Sequence, residues 1–341
     1  MKFIYFSFVL CIVAFCSCKK NALPGTAKAN PVDVYVSGTV ICKNGNYGVA
    51  YWKNGLLVKV ADSVLVNAVS YGGIAINGTD VYMAGVDSTV ARPVYWKNGG
   101  AAIPLNTGGF HLGGISCIAF QGNDLYIGGN SYTSSGSSPQ TAVYWKNGVL
   151  NTLTGGANLN AITVSGNNVY FAGLMQTTQY GAYWKNGGQA IIDSSNSASS
   201  IAVNGSDVYL GGAGINSFKG HAVYSKNGKV TSLTATAVVR YISTNGADVF
   251  MAGDLFNSAI SGYYPMYWKN STTTQLTTAT GSTAGVCLNG PDVYVTVLNR
   301  DYNTGKILSV FYLKNGVQVS LNSGGYVIAS ISGMALAPAA Q

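Results

Sequence analysis

One five-residue string, Tyr-Trp-Lys-Asn-Gly, restricts what this chain can fold into more than any other feature. It stands at Tyr51–Gly55, Tyr95–Gly99, Tyr144–Gly148 and Tyr183–Gly187. Altered copies begin at Tyr224, Tyr267 and Tyr312, giving seven copies spaced 39 to 49 residues apart. A chain of 341 residues would ordinarily divide into two domains, but repeats of this length stack on one another and share one core.

The second copy shows a whole unit. It runs Ile74-Ala75-Ile76, a turn at Asn77-Gly78, Asp80-Val81-Tyr82-Met83-Ala84-Gly85, a variable stretch, then Pro93 to Trp96, a turn at Asn98-Gly99, and Ala101 to Leu105. We read four short strands, A to D. Asn-Gly is the strongest short hairpin signal, because both residues tolerate positive φ. Four antiparallel strands per unit of ~44 residues is the arithmetic of a propeller blade. The expected fold is all-β: a seven-bladed β-propeller of four-stranded antiparallel blades.

Side chains alternate between the faces of a strand. Asp80, Tyr82 and Ala84 share one face of strand B; Tyr95 and Lys97 share one face of strand C. The expected cross-strand pairs are Tyr82 with Tyr95 and Asp80 with Lys97. The other face carries Val81, Met83, Val94 and Trp96, which the next blade is expected to cover. All five Trp residues occupy this repeat position, so they read as core rather than as sugar-stacking platforms. Burying one removes ~150–250 Å² from water, about 4–6 kcal/mol as an upper bound. The small pair Ala84-Gly85 is expected to admit the neighbouring blade closely.

The ends of the array predict its closure. The first unit begins at strand B with Val32-Asp33-Val34-Tyr35, and the last is followed by Gly333-Met334-Ala335-Leu336, a strand A pattern. The C-terminal strand is therefore expected to join the first blade, closing residues 32–341 into one ring. Residues 1–17 read as a lipoprotein signal peptide: Lys2, then an apolar run from Phe3 to Phe15 that is too short to span a bilayer. Phe15-Cys16-Ser17-Cys18 resembles a bacterial lipobox, which implies lipidation of Cys18 and a membrane anchor in the cell envelope. Residues 18–31 read as a flexible tether.

Asp124-Leu125-Tyr126-Ile127-Gly128-Gly129, followed by Ala142-Val143-Tyr144-Trp145, resembles a kelch-type propeller repeat, as does Val208 to Gly212. The likeness implies a kelch-like bacterial exported propeller. That fold carries both enzymes and binding scaffolds, so function must come from the site.

Strand direction puts the near-constant A–B and C–D turns on one side of the disc and the irregular B–C and D–A loops on the other. Sites are usually built in irregular loops on a rigid scaffold. The candidate binding residues there are Tyr132, Tyr180, Phe256, Tyr263, Tyr264, Arg240, Arg300, Asp254 and Asp301, aromatics and polar groups suited to a glycan or protein partner.

Composition narrows the chemistry. The net charge is +8, but the Lys residues are spread one per repeat, which argues against nucleic acid. There are 11 Asp and no Glu. Six Asp repeat with the unit; Asp87, Asp254 and Asp301 are expected in B–C loops. Asp254 and Asp301 are the pair that an alternative reading, a polysaccharide hydrolase or lyase, would require. A third reading is a structural surface protein without a small ligand. The only His residues, His111 and His221, are expected three blades apart, so no metal site is expected, and no phosphate-binding loop or other cofactor motif occurs. Cys42, Cys117 and Cys287 read as core residues, the last two on innermost strands separated by one blade. The closed ring is expected to act as a monomer.

Overall fold

The computed structural model describes residues 30–59, 73–87, 92–132, 140–215 and 220–339. Cys18, the signal peptide and most of the tether lie outside the described residues, as does Asp62. Seven four-stranded antiparallel sheets form a closed propeller. Blade 1 holds β1 (Val32–Ile41), β2 (Tyr47–Lys53) and β3 (Leu56–Lys59). Blade 2 is β4 (Ile74–Asn77), β5 (Asp80–Asp87), β6 (Arg92–Lys97) and β7 (Ile103–Pro104). Blade 3 is β8 (His111–Gln121), β9 (Asp124–Tyr132), β10 (Gln140–Lys146) and β11 (Val149–Thr152). Blade 4 is β12 (Gly156–Ser165), β13 (Asn168–Met175), β14 (Gly181–Lys185) and β15 (Ala190–Asp193). Blade 5 is β16 (Ser200–Asn204), β17 (Asp207–Ala213), β18 (His221–Lys226) and β19 (Lys229–Ala235). Blade 6 is β20 (Ala237–Asn245), β21 (Asp248–Asn257), β22 (Gly262–Lys269) and β23 (Thr272–Gln275). Blade 7 is β24 (Gly281–Asn289), β25 (Asp292–Arg300), β26 (Ile307–Lys314) and β27 (Val317–Ser320).

The last strand, β28 (Val327–Pro338), pairs antiparallel with β1, setting Val34 opposite Leu336 and Val36 opposite Met334. The ring closes as the termini of the repeat array predict. Where the chain enters β1, Pro31 O accepts from Ala339 N (3.0 Å), and Asn30 O accepts from Asn289 Nδ2 (2.6 Å) in the A–B turn of blade 7. The chain therefore enters β1 from the side of the constant turns.

The register between strands B and C departs from expectation by two residues. Tyr82 stands opposite Lys97 and Ala84 opposite Tyr95. Faces are unchanged, so the side chains still meet, but diagonally. Lys97 Nζ reaches back to Asp80 Oδ2 at 2.7 Å while lying 5.6 Å from the centre of the Tyr82 ring. The B-strand and C-strand tyrosines sit as diagonal ring neighbours, 6.1 Å apart for Tyr35 and Tyr51 and 6.4 Å for Tyr294 and Tyr312.

The turn asparagine completes this staple. Asn98 Oδ1 accepts from Val81 N (2.7 Å) and its Nδ2 donates to Asp80 Oδ1 (2.6 Å). The arrangement recurs around the ring, for example at Asn147 with Leu125 and Asp124, and at Asn315 with Val293 and Asp292. In blade 4 Asn168 replaces the Asp and accepts from Asn186 Nδ2 at 2.9 Å. The repeated Asp, Lys and Asn are thus structural.

The Trp face is covered by the preceding blade, not the next one. Trp52 packs on Tyr294, Leu298 and Val310 of blade 7, and Trp268 on Tyr209 and Ala222 of blade 5. Each indole also needs an acceptor once buried. Trp52 Nε1 donates to Asn322 O (2.8 Å) and Trp145 Nε1 to Asn106 O (2.6 Å), both in connections leaving the preceding blade. Blades 5 and 7 carry Ser225 and Leu313 instead. Against Ser225 the connection from blade 4 folds inward: the Ser225 hydroxyl donates to buried Asp193, and Asn196 is fully buried, donating to Leu210 O (2.8 Å). Against Leu313 nothing comparable enters, and a cavity of about 240 Å³ remains beside Tyr267 and Val295.

Small residues at the end of strand B have two separate causes. A Cβ on Gly128 would come 2.4 Å from Leu159 of the next blade, as expected for close blade approach. On Gly129, however, it would come 2.0 Å from Gly114 O in the same blade, where the inner strand bulges. Cys117 lies on blade 3 and Cys287 on blade 7, so more than one blade separates them. Cys42 and Cys117 are buried and Cys287 half-buried; burial pushes the Cys117 thiol up, and that of Cys287 up to about 12, so neither is a ready nucleophile.

Candidate functional site

Innermost strands run from the variable side to the constant side, so their first residues surround the mouth of the axis. Ile74, Ile118, Ile162, Ile201, Ile242, Val286 and Met334 occupy one repeat position and line a single axial cavity of about 200 Å³. They form an apolar collar. On its variable side stand Asn160, Ser199 and Arg240, each two residues earlier in the chain than its collar residue.

Asn160 and Arg240 reach the mouth because they are the extra residues of β-bulges. The pairing steps from Leu159–Gly173 to Ala161–Ala172, and from Val239–Gly253 to Tyr241–Ala252. Bulges re-aim a side chain and recur beside functional sites. Glycine opposite is obligatory: a Cβ on Gly173 or Gly253 would lie 1.8 or 1.9 Å from a backbone oxygen of the bulged strand. Arg240 was expected in a variable loop and lies instead on β20.

Asp254 also lies in a strand, β21, rather than a loop, and it is 2% exposed. Its Oδ2 pairs with Arg240 Nε, and its Oδ1 accepts from Thr283 N of blade 7 at 3.0 Å. Burial pushes its carboxyl up, against the pull of Arg240. The group braces blade 6 against blade 7. Asp87 likewise belongs to β5 rather than to a B–C loop. Asp301 caps its own turn, accepting from Asn303 N (2.9 Å) and Thr304 N (3.3 Å). These bonds hold its carboxyl below the usual range, the Thr304 hydroxyl contributing most.

Phe256 and Tyr263 stand opposite each other on β21 and β22, ring centres 5.2 Å apart, and Tyr263 lies 6.0 Å from Tyr302. This row crosses from blade 6 to blade 7 beside Arg240. Tyr302 stands in the B–C turn of blade 7, where variable-face aromatics are expected. Tyr264 faces the other way and packs against the core between blades 5 and 6. Tyr132 and Tyr180 belong to blades 3 and 4, apart from this row: the Tyr132 hydroxyl accepts from Gln140 Nε2 (2.8 Å), and Tyr180 closes a short turn with Met175. Arg300 ends β25 and its Nη2 donates to Ala329 O of β28 at 3.4 Å. It borders a second cavity, about 680 Å³, between blades 7 and 1 on the variable side. His111 and His221 fall on blades 3 and 5, two blades apart, and no group of metal-ligating side chains is gathered among the described residues.

No protein-family model and no curated protein sequence matches this chain. Solved structures do resemble it. A puromycin-hydrolysing peptidase of Mycobacterium tuberculosis superposes with a TM-score of 0.56 at 10% identity, over 85% of this chain and 52% of that one. An acylaminoacyl peptidase of Pyrococcus horikoshii does so with a TM-score of 0.50 at 10% identity, over 87% and 52%. The chain thus spans about half the length of each of these peptidases. The β-propeller domain of the Trilobed protease from Pyrococcus furiosus has a TM-score of 0.49 at 9% identity, over 85% and 98%. The likeness is one of fold.

Proposed function

We propose that this chain is a lipid-anchored β-propeller of the bacterial cell envelope that binds a glycan or protein partner through its variable face. One observation carries the reading. The strand ends of blades 6 and 7 bring Phe256, Tyr263 and Tyr302 together, with Tyr302 within electrostatic reach of Arg240 and Arg300, each of which lines a cavity, and with no free pair of acids among the described residues there. Exposed rings flanked by cations suit recognition of a polar partner. A polysaccharide hydrolase needs two carboxylates facing one bond. Asp254 is committed to Arg240 and Thr283, and Asp301 to its own turn, which favours binding over hydrolysis. The kelch-like pattern and the exported, lipidated N-terminus belong to the same reading. The chain's entry into β1 from the constant side supports it too, since an anchor there leaves the variable face turned outward.

The test is a glycan array and an affinity pull-down with the full chain in detergent. Tyr263→Ala and Phe256→Ala are expected to weaken capture about tenfold or more, as for aromatic anchors. Capture unchanged in both variants would refute the variable face as the binding surface. Fatty-acid labelling is expected to mark the wild type and not Cys18→Ser; label retained in Cys18→Ser would refute Cys18 as the lipidated residue, and an unlabelled wild type would refute the anchor.

A further inference from the structure

The cavity at the seam of blades 7 and 1 opens on the variable side, and its volume of about 680 Å³ lies in the range of small-ligand sites. Two cations reach it. Arg300 crosses the seam from β25, and Lys306 stands exposed in the turn before β26. No carboxylate lines the cavity among the described residues. Arg240 is paired with Asp254 and Arg92 stands opposite Asp87, whereas Arg300 has no carboxylate partner among the described residues. Its Nε is buried without an acceptor. A buried donor left unmatched calls for a partner, and this one belongs to a side chain that lines the cavity.

The remaining walls describe the rest of the ligand. Tyr47 comes from blade 1 and Tyr326 from the connection leaving blade 7, so one tyrosine stands on each side of the seam. A phenol offers a flat apolar face with a polar tip, which matches a sugar ring that has a C–H face and hydroxyl rim. An extended peptide would need free backbone partners, but β26 is already paired on both edges, to β25 and β27.

We propose that the seam cavity binds a uronate residue of an acidic oligosaccharide. The carboxylate sits at the Arg300 guanidinium, whose fork matches carboxylate geometry, and Lys306 adds charge at the rim. The sugar ring lies against Tyr47. The assignment rests on the variable face being the binding face.

Calorimetric titration of the full chain in detergent with trigalacturonate, triglucuronate and their carboxyl-reduced counterparts tests it. At least one acidic trimer is expected to bind, more weakly as salt rises. Its carboxyl-reduced form should bind about tenfold more weakly or worse. Arg300→Gln should weaken the acidic trimer by a similar factor. Because that change also removes the bond to Ala329, Lys306→Ala serves as the second variant; it should weaken binding several-fold with the melting temperature unchanged. Reduced trimers binding as tightly as acidic ones, no trimer binding, or both variants leaving affinity intact would each overturn the seam site. If the seam site falls while partner capture still depends on Tyr263, the variable-face reading survives; if capture fails as well, both fall.

Discussion

The asparagine after each repeat lysine holds two strands at once. Asn147 takes φ of 50°, a left-handed conformation that few residues adopt readily, and its side chain accepts from Leu125 N at 2.8 Å while donating to Asp124. Asn147→Ala should therefore cost about 1–2 kcal/mol, from one partly buried hydrogen bond plus the strained φ, and Asn147→Gly less, because glycine keeps the conformation. Urea unfolding checks the order; equal loss in both would mean that φ is irrelevant. The aspartates of the staple predict a pH dependence. Lysine hydrogen bonds lead in lowering the carboxyls of Asp33, Asp80, Asp124 and Asp207, and asparagine hydrogen bonds in lowering those of Asp248 and Asp292. A carboxylate lowered on folding stabilises above its unfolded pKa of ~3.9, and that contribution disappears as pH falls through the folded value. Asp254, raised by burial, acts with the opposite sign, but with Asp301 also lowered it is one against seven. The melting temperature should hold from neutral to about pH 5 and fall below about pH 4. A rise into acid would contradict this.

Blades 5 and 7 both lack the tryptophan, and their surroundings answer differently. Around Ser225 the space is taken by Asp193 and Asn196, so restoring the repeat residue there should overpack the interface. Ser225→Trp is expected to destabilise by about 1–3 kcal/mol. Around Leu313 the space is open, about 240 Å³. Leu313→Trp is expected to stabilise by about 0.5–2 kcal/mol as a cavity-filling change. Thermal melts of the two variants should move in opposite directions; a shift of the same sign in both would undo the account. The element scale also marks what could be read beforehand. Strand number, strand order and the face of every repeat residue follow from period-two alternation between Asn-Gly turns. The two-residue offset between Tyr82 and Tyr95 does not, because alternation fixes the face and leaves the register to turn geometry. Nor do the bulges that carry Asn160 and Arg240 inward, since an extra residue in one strand is invisible without its partner. For the same reason the strand extensions holding Asp254, Phe256 and Tyr263 read as loops.

At the scale of the whole molecule, closure rests on one strand 295 residues away in sequence from its partner, as in the contact of Ser37 with Ser332. A chain ending at Gly325 would leave β1 with an unpaired inner edge, and such edges recruit other chains. It should form oligomers in light scattering, whereas the full chain remains single; a monomeric truncation with an unchanged melting temperature would show that closure is dispensable. Seven blades and their closure were legible because each repeat announces itself. The seam cavity was not, because it arises where the last blade meets the first and no repeat position encodes it. The ring of isoleucine, valine and methionine around the axis has a bearing on traffic. Ions and hydrated solutes would have to shed their water to pass such a constriction. An apolar lining of this kind disfavours their passage along the axis, so a polar ligand that enters at the variable mouth is expected to leave by the same mouth.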